Sequence, residues 1–162
     1  MQSAKYIGDK IFTIESIQHQ INRWRLLNKK IVFTNGVFDI LHEGHIASLT
    51  EAATYGDVLI VGLNADASVK RLKGETRPVN NQHSRAILLS SLIMTDAIVV
   101  FEEDTPLDLI KSILPDILVK GGDYTVEQIA GAKEVIANGG EVKIVPIVEG
   151  FSTTGIIERM KK

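Results

Sequence analysis

The 162 residues carry 18 Lys and Arg against 20 Asp and Glu, a net charge of −2, with 44% hydrophobic and 23% charged residues and no cysteine. A chain of this length is the size of one ordinary domain, and its near-balanced charge excludes a global field for nucleic acid or an anionic membrane, so an anion has to be held locally. The absence of cysteine excludes disulfides and thiolate chemistry; with no membrane-length apolar run and no signal-peptide core, we expect a cytoplasmic protein with neither a membrane nor a nucleic-acid partner.

Ile14, Ile17, Ile21 and Trp24 recur at helical spacing within 11–27, which predicts an amphipathic leading helix suited to packing or to contact with a second copy in a homo-oligomer. Ile31-Val-Phe33 reads as a short strand, followed at once by TNGVFDILHEGH (Thr34 to His45) and then by Ile46, Leu49 and Ala53 at helical spacing, with Gly56 expected just past the helix end. Asp57 to Leu63 reads as a buried strand, with Asn64 and Asp66 directly after it. Lys70 to Arg77 sets Lys70, Arg71, Lys73 and Arg77 against the single acid Glu75. Gln82 to Met94, carrying Arg85, reads as a helix and Ala97 to Phe101 as a strand. Thr105-Pro-Leu-Asp108 has a cap, a proline at the first helical position and a carboxylate after it. Ile117 to Val119 reads as a strand leading into Lys120-Gly-Gly-Asp123, Val126 to Ala137 as a helix, and Val142 to Val145 as a last strand. A helix from Thr153 follows.

Near-continuous apolar strands alternating with helices predict a Rossmann-like open parallel α/β sheet of about five strands with helices on both faces. One domain is expected over 1–162, with a leading helix at 1–27 and a core at 28–160, and no repeat or linker divides it. Ligands in such sheets sit outside the carboxyl ends of the strands, at the switch in strand order.

TNGVFDILHEGH admits three readings. A zinc site of the His-Glu-x-x-His type needs rings four residues apart on one helical face, whereas His42 and His45 are three apart and no third protein ligand stands out. The glycines and histidines can alternatively do no more than shape and cap a strand-to-helix turn. The third reading is an anion site: Gly36 and Gly44 let backbone N–H groups approach, the opening helix offers unsatisfied donors, and imidazoles can donate to phosphate oxygens as charge develops.

The same stretch resembles the signature of the His-x-Gly-His nucleotidyltransferase superfamily. VGLNADASVKRLKGETRPVN, FEEDTPLDLI, LPDILVKGGDY, EVIANGGEV and GFSTTGII resemble, in order and spacing over about residues 28–160, the adenylyltransferase domains of the ADP-heptose synthase family. The resemblance implies transfer of AMP from ATP to D-glycero-β-D-manno-heptose 1-phosphate, for the lipopolysaccharide core, with release of pyrophosphate. It implies contact of His42 and His45 with the triphosphate and of Lys73 with its phosphates. Thr34, Asn35, Gly36, Phe38, Gly44, Lys120, Gly121 and Asp123 would bind the nucleotide, as would Ser152, Thr153 and Thr154, which equally suit a helix cap. Arg77 would hold the acceptor phosphate as a planar fork. Asn64 and Asp66 match the acceptor-side pair, with loop capping as the alternative, and Asp39 matches an acidic position that either meets the acceptor or bonds loop N–H groups. Arg85 is either a second phosphate contact or a surface residue.

Mg²⁺ is implied with ATP, held largely by phosphates and water, so no dedicated protein metal site is expected. Val37 and Phe151 stand where the family often has cysteine. Ile147 stands three residues before Gly150, where related cytidylyltransferases commonly carry arginine, which favours ATP over CTP. The alternatives are a cytidylyltransferase for a polyol phosphate such as glycerol 3-phosphate, and a non-catalytic nucleotide-binding module. No sugar-kinase domain precedes the motif, so a separate heptose kinase acting upstream and an excised domain both remain open.

Overall fold

The computed structural model describes residues 5–146, 150 and 152–160; Ile147 and Phe151 lie outside the described residues. In chain order the strands are β1 (Ile11–Phe12), β2 (Ile31–Gly36), β3 (Val58–Asn64), β4 (Ala97–Phe101), β5 (Ile117–Gly121) and β6 (Glu141–Val145). The helices are α1 (Lys5–Gly8), α2 (Ile14–Leu26), α3 (Glu43–Ala53), α4 (Asp66–Lys73), α5 (Gln82–Ser90), α6 (Leu107–Ile113), α7 (Ala132–Ala137) and α8 (Thr153–Met160), with a 3₁₀ turn at Val126–Gln128. All six strands pair in parallel, in the order β1-β4-β3-β2-β5-β6.

The predicted open parallel sheet is present, with six strands rather than five. Ile11 and Phe12 do not begin the leading helix but pair with Ile98 and Val99 at the sheet edge. α2 starts after them because Thr13 forms a reciprocal cap: its hydroxyl accepts from the Ser16 N–H (3.1 Å) while the Ser16 hydroxyl accepts from the Thr13 N–H (2.9 Å). Further boundaries differ. The first half of the basic run, Lys70 to Lys73, lies in α4, and the helix expected over Val126 to Ala137 is interrupted at Gly131, which sits in the left-handed region (φ 83°). α6 begins only at Leu107, with Pro106 in the cap position and no side-chain cap from Thr105. α3 and α5 stop at Ala53 and Ser90, short of Gly56 and Met94.

Alternate residues of each strand feed opposite cores. Ile31, Phe33, Ile60 and Val99 pack with Ile17 and Ile21 of α2 and with α6 and α7; Val32, Leu59, Val61 and Ile98 pack with Leu49 of α3 and Leu89 of α5. The leading helix therefore spends its apolar stripe within its own chain. Register at the amino ends of the strands is set by aspartates that immediately precede β3, β4 and β5. The Asp57, Asp96 and Asp116 carboxylates accept from Lys30, Leu59 and Ile31 N–H groups (2.7–2.8 Å), and their own N–H groups donate back to the same three residues' carbonyls. Each bracket joins two neighbouring strands before the ladder begins, leaving the carboxyl ends open for the site.

Candidate active site

Strand order reverses at β2, which has β3 on one side and β5 on the other. Beyond Gly36 the chain turns so tightly that Phe38, a bulky residue, adopts φ 47°, a conformation that costs on the order of 1–2 kcal/mol. A buried ring compensates: Phe38 is 8% exposed and lies against Gly36, where a Cβ would come within 2.9 Å of it. The next residue locks the turn. Asp39, 1% exposed, accepts from Arg77 Nε (2.6 Å) and from the N–H groups of Val79 (2.8 Å) and Asn80 (3.0 Å), while Asn80 Nδ2 donates to the Asp39 carbonyl (2.8 Å). Burial would raise the Asp39 pKa, but the bonds from Asn80, Val79 and Arg77 outweigh it and hold the carboxyl below its ordinary value. Of the two sequence readings of Asp39, the geometry is that of the loop-bonding one.

α3 opens at Glu43 with His42 in the cap position, yet neither imidazole caps the helix through its side chain. The two rings stack, with centroids 3.8 Å apart and planes 20° from parallel, and Phe38 tilts against His45 at 5.1 Å. Imidazole lone pairs lie in the ring plane, so stacked rings do not converge on one ion, and no group of three or more potential metal ligands gathers among the described residues. Burial lowers the pKa of His42; burial, then the neighbouring His42, lowers that of His45 to about 4. His45 Nδ1 is buried with no hydrogen-bond partner among the described residues.

The depressed His45 pKa has a consequence for stability. Between about 4 and the ordinary value of 6.5, the unfolded chain binds a proton at His45 that the folded chain does not, so this contribution to stability is full above the window and is lost as pH falls through it. We expect the melting temperature of His45→Gln to fall less than wild type between pH 7 and pH 4. Parallel pH profiles for the two proteins would refute this.

The cleft at the switch point has a volume of about 460 Å³. Thr34, Asn35, Gly36 and Phe38 line it from β2 and the turn, His42, Gly44 and His45 from the start of α3, Lys73 and Arg77 from the basic run, Lys120 and Gly121 from the end of β5, and Ser152, Thr153 and Thr154 from the start of α8. Ser152 Oγ accepts from the Gly155 N–H (3.0 Å), and Thr153 Oγ1 donates to the Ile40 carbonyl (3.5 Å), which ties α8 to the motif. Among the described residues Asp39 is the one carboxylate on the lining, and it pairs with Arg77, which leaves Lys73 and Lys120 facing the cleft without a carboxylate partner there. Burial also lowers the pKa of Lys120.

Asn64, Asp66 and Asp123 do not line this cleft. Asn64 is buried and donates to Ser68 Oγ (3.0 Å), Asp123 is exposed, and the Asp66 carboxylate accepts from Arg85 (2.7 Å). Arg85 is neither a surface residue nor a lining residue. It is fully buried and donates to the carbonyls of Asn80 (2.9 Å), Val37 (2.6 Å) and Asn64 (2.8 Å) as well as to Asp66. Its signal in the sequence was its place four residues before buried Leu89, on the apolar face of α5. Val37, Ser48, Leu49, Val119 and Val145 also line the cleft without having been singled out as contacts; nothing local separates them from ordinary strand and helix residues.

Residues 33–159 match the family model described as Cytidylyltransferase-like. The chain is 54% identical over 149 residues to the bifunctional protein HldE of Hyphomonas neptunium (92% of this chain, 31% of that protein). It is 55% identical over 154 residues to that of Pectobacterium atrosepticum (95% and 32%) and 57% over 155 residues to that of Cronobacter sakazakii (96% and 33%). The chain thus spans about a third of the length of the curated relatives it matches. Among solved structures it resembles the lipopolysaccharide core biosynthesis protein from Thermoplasma volcanium, with 33% identity and a TM-score of 0.59 over 74% of this chain and 97% of that one. A likeness of fold alone extends to pantoate-beta-alanine ligase from Francisella tularensis, with 15% identity and a TM-score of 0.60 over 93% and 76%.

Proposed function

The chain belongs to the cytidylyltransferase-like family, and from that premise we propose that it transfers AMP from MgATP to D-glycero-β-D-manno-heptose 1-phosphate in the cytoplasm, forming ADP-heptose and pyrophosphate. The observation that carries this reading is the convergence of both motif histidines, Lys73, Arg77, Lys120 and the hydroxyl-rich start of α8 on one cleft. An oxygen of the sugar phosphate attacks the α-phosphorus, a new P–O bond forms, and the bond to the β-phosphate oxygen breaks with its electron pair leaving on pyrophosphate. The attacking phosphate is already ionised at neutral pH, so alignment and charge stabilisation suffice and no general base is required.

In this scheme His42 and His45 donate to the α-phosphate region, and Lys73 neutralises charge where the two phosphates approach. Ser152, Thr153, Thr154 and the N–H groups opening α8 receive the β- and γ-phosphates. Arg77 holds the acceptor phosphate with the nitrogens that Asp39 leaves unused. Magnesium would enter as part of the MgATP substrate and would supply further neutralisation of the phosphate charge. The curated relatives are designated bifunctional and are about three times as long, which supports a second activity, a sugar kinase, as the source of the 1-phosphate.

A panel of ATP and CTP against heptose 1-phosphate, other sugar 1-phosphates and glycerol 3-phosphate, read as pyrophosphate release, tests the proposal. Release is expected with ATP only when heptose 1-phosphate is present. Turnover with CTP and glycerol 3-phosphate instead would replace this reading by that of a polyol-phosphate cytidylyltransferase, and ATP binding without turnover on any acceptor would leave a nucleotide-binding module.

A further inference from the structure

We propose that a second cleft, of about 390 Å³ and separated from the first by Asn35, Gly36, Val37, Lys73 and Lys120, seats the polyhydroxy part of a phosphorylated sugar whose phosphate lies between the two lysines and is held from the first cleft by Arg77. The proposal rests on the phosphoryl-transfer reading above and locates its acceptor.

In-line displacement at phosphorus places the attacking and leaving oxygens on opposite sides of the reacting atom. The histidines and the start of α8 belong to the first cleft alone, so the acceptor has to arrive across the shared wall. Lys73 and Lys120 stand on that wall, and neither has a carboxylate partner among the described residues.

Beyond the lysines the second cleft changes character. Its neutral polar groups are the hydroxyls of Thr105 and Tyr124, the amide of Gln128 and the amides of Asn35 and Asn64, the last already donating to Ser68, and its apolar wall is Leu72, Pro106 and Ile129. Asp104, on the same lining, is already paired with Arg71 (2.7 Å). Gln128 is pre-oriented, because its Oε1 accepts from the Thr125 N–H (2.9 Å). Its amide nitrogen and the Thr105 and Tyr124 hydroxyls make no hydrogen bond with the described residues. Neutral donors and acceptors beside an apolar wall match the hydroxyls and C–H face of a sugar ring, whereas a second nucleotide or a second phosphate would call for further cations. The acceptor-side contacts therefore come from the β4–α6 loop, the 3₁₀ turn and Asn64 at the end of β3 rather than from Asp39 or Asp66, whose carboxylates are bonded within the protein.

Two variants test the seat. Thr105→Val removes one hydroxyl with little change of shape, and Gln128→Glu keeps the oxygen that caps Thr125 while setting a carboxylate beside a phosphorylated ligand. Expected are KM values for heptose 1-phosphate raised about 3- to 10-fold for Thr105→Val, the range for one lost hydrogen bond, and more for Gln128→Glu, with KM for ATP unchanged. A shift confined to ATP, or no shift, would overturn the seat. Independently of turnover, heptose 1-phosphate is added to the protein saturated with a non-hydrolysable ATP analogue, and backbone amide shifts are followed by NMR. Perturbation at Thr105 and Gln128 supports the seat even if the wild type proves unable to transfer AMP, which would fault the proposed reaction alone. Perturbation absent there, or confined to Ser152–Thr154, refutes the seat even where transfer occurs.

Discussion

Replacing His45 by alanine is expected to lower kcat about 10²- to 10³-fold, the range for removing one preorganised donor to a developing oxyanion, while changing KM for ATP much less. The asymmetry follows from where the imidazole sits. His45 is held between the His42 ring and the tilted Phe38 ring, so its direction is fixed before substrate arrives and little reorganisation is needed as charge builds at the α-phosphorus. Burial and the neighbouring ring keep it neutral at pH 7, so it offers an N–H hydrogen bond rather than a full charge to the ground state. A neutral donor gains most where negative charge is greatest, in the crowded transition state. Steady-state kinetics on His45→Ala and His45→Asn check this, with melting temperatures to verify folding. An unchanged kcat would remove His45 from the mechanism, and a loss confined to KM would make it a binding residue.

The parts of the site that were readable in the sequence are those whose chemistry is contiguous. TNGVFDILHEGH holds its glycines and both histidines within one strand-to-helix turn, and the strands behind it are apolar runs that declare themselves because both faces are buried. What escaped depends on partners far apart in the chain. β1 is two residues long and exists only because Ile98 and Val99 lie beside it, a pairing no local pattern encodes. α4 hid in the basic run because only Ser68 and Val69 of its eight residues are buried, too few for a helical period to emerge. The roles of Asp39 and Asp66 could not be separated from the sequence either. A carboxylate beside a phosphate motif suits a ligand or a loop equally, and the arginines that decide the matter stand 38 and 19 residues away.

The second large effect is expected at one of those arginines. Arg85→Met should destabilise the fold by about 3–5 kcal/mol, the range for leaving buried polar partners without their charge, and lower the melting temperature by roughly 6–20 °C at about 2–4 °C per kcal/mol for a chain of this size. The guanidinium is fully buried and joins the end of β3 (Asn64), the motif turn (Val37) and the loop that Asp39 also holds (Asn80). Methionine fills a similar volume but leaves those three carbonyls and Asp66 without their donor. The carbonyls should carry most of the cost, because the Asp66 side chain is 34% exposed and can recover solvation. Asp66→Asn, which keeps an oxygen acceptor for the buried guanidinium but removes its carboxylate, is therefore expected to cost less, about 1–3 kcal/mol. Lysine at position 85 should rescue in part, since a single ammonium cannot span contacts that a planar fork reaches in several directions. Thermal unfolding of the three variants separates these contributions, and a shift of no more than a degree or two in Arg85→Met would mean that the loops around the cleft hold their positions without it.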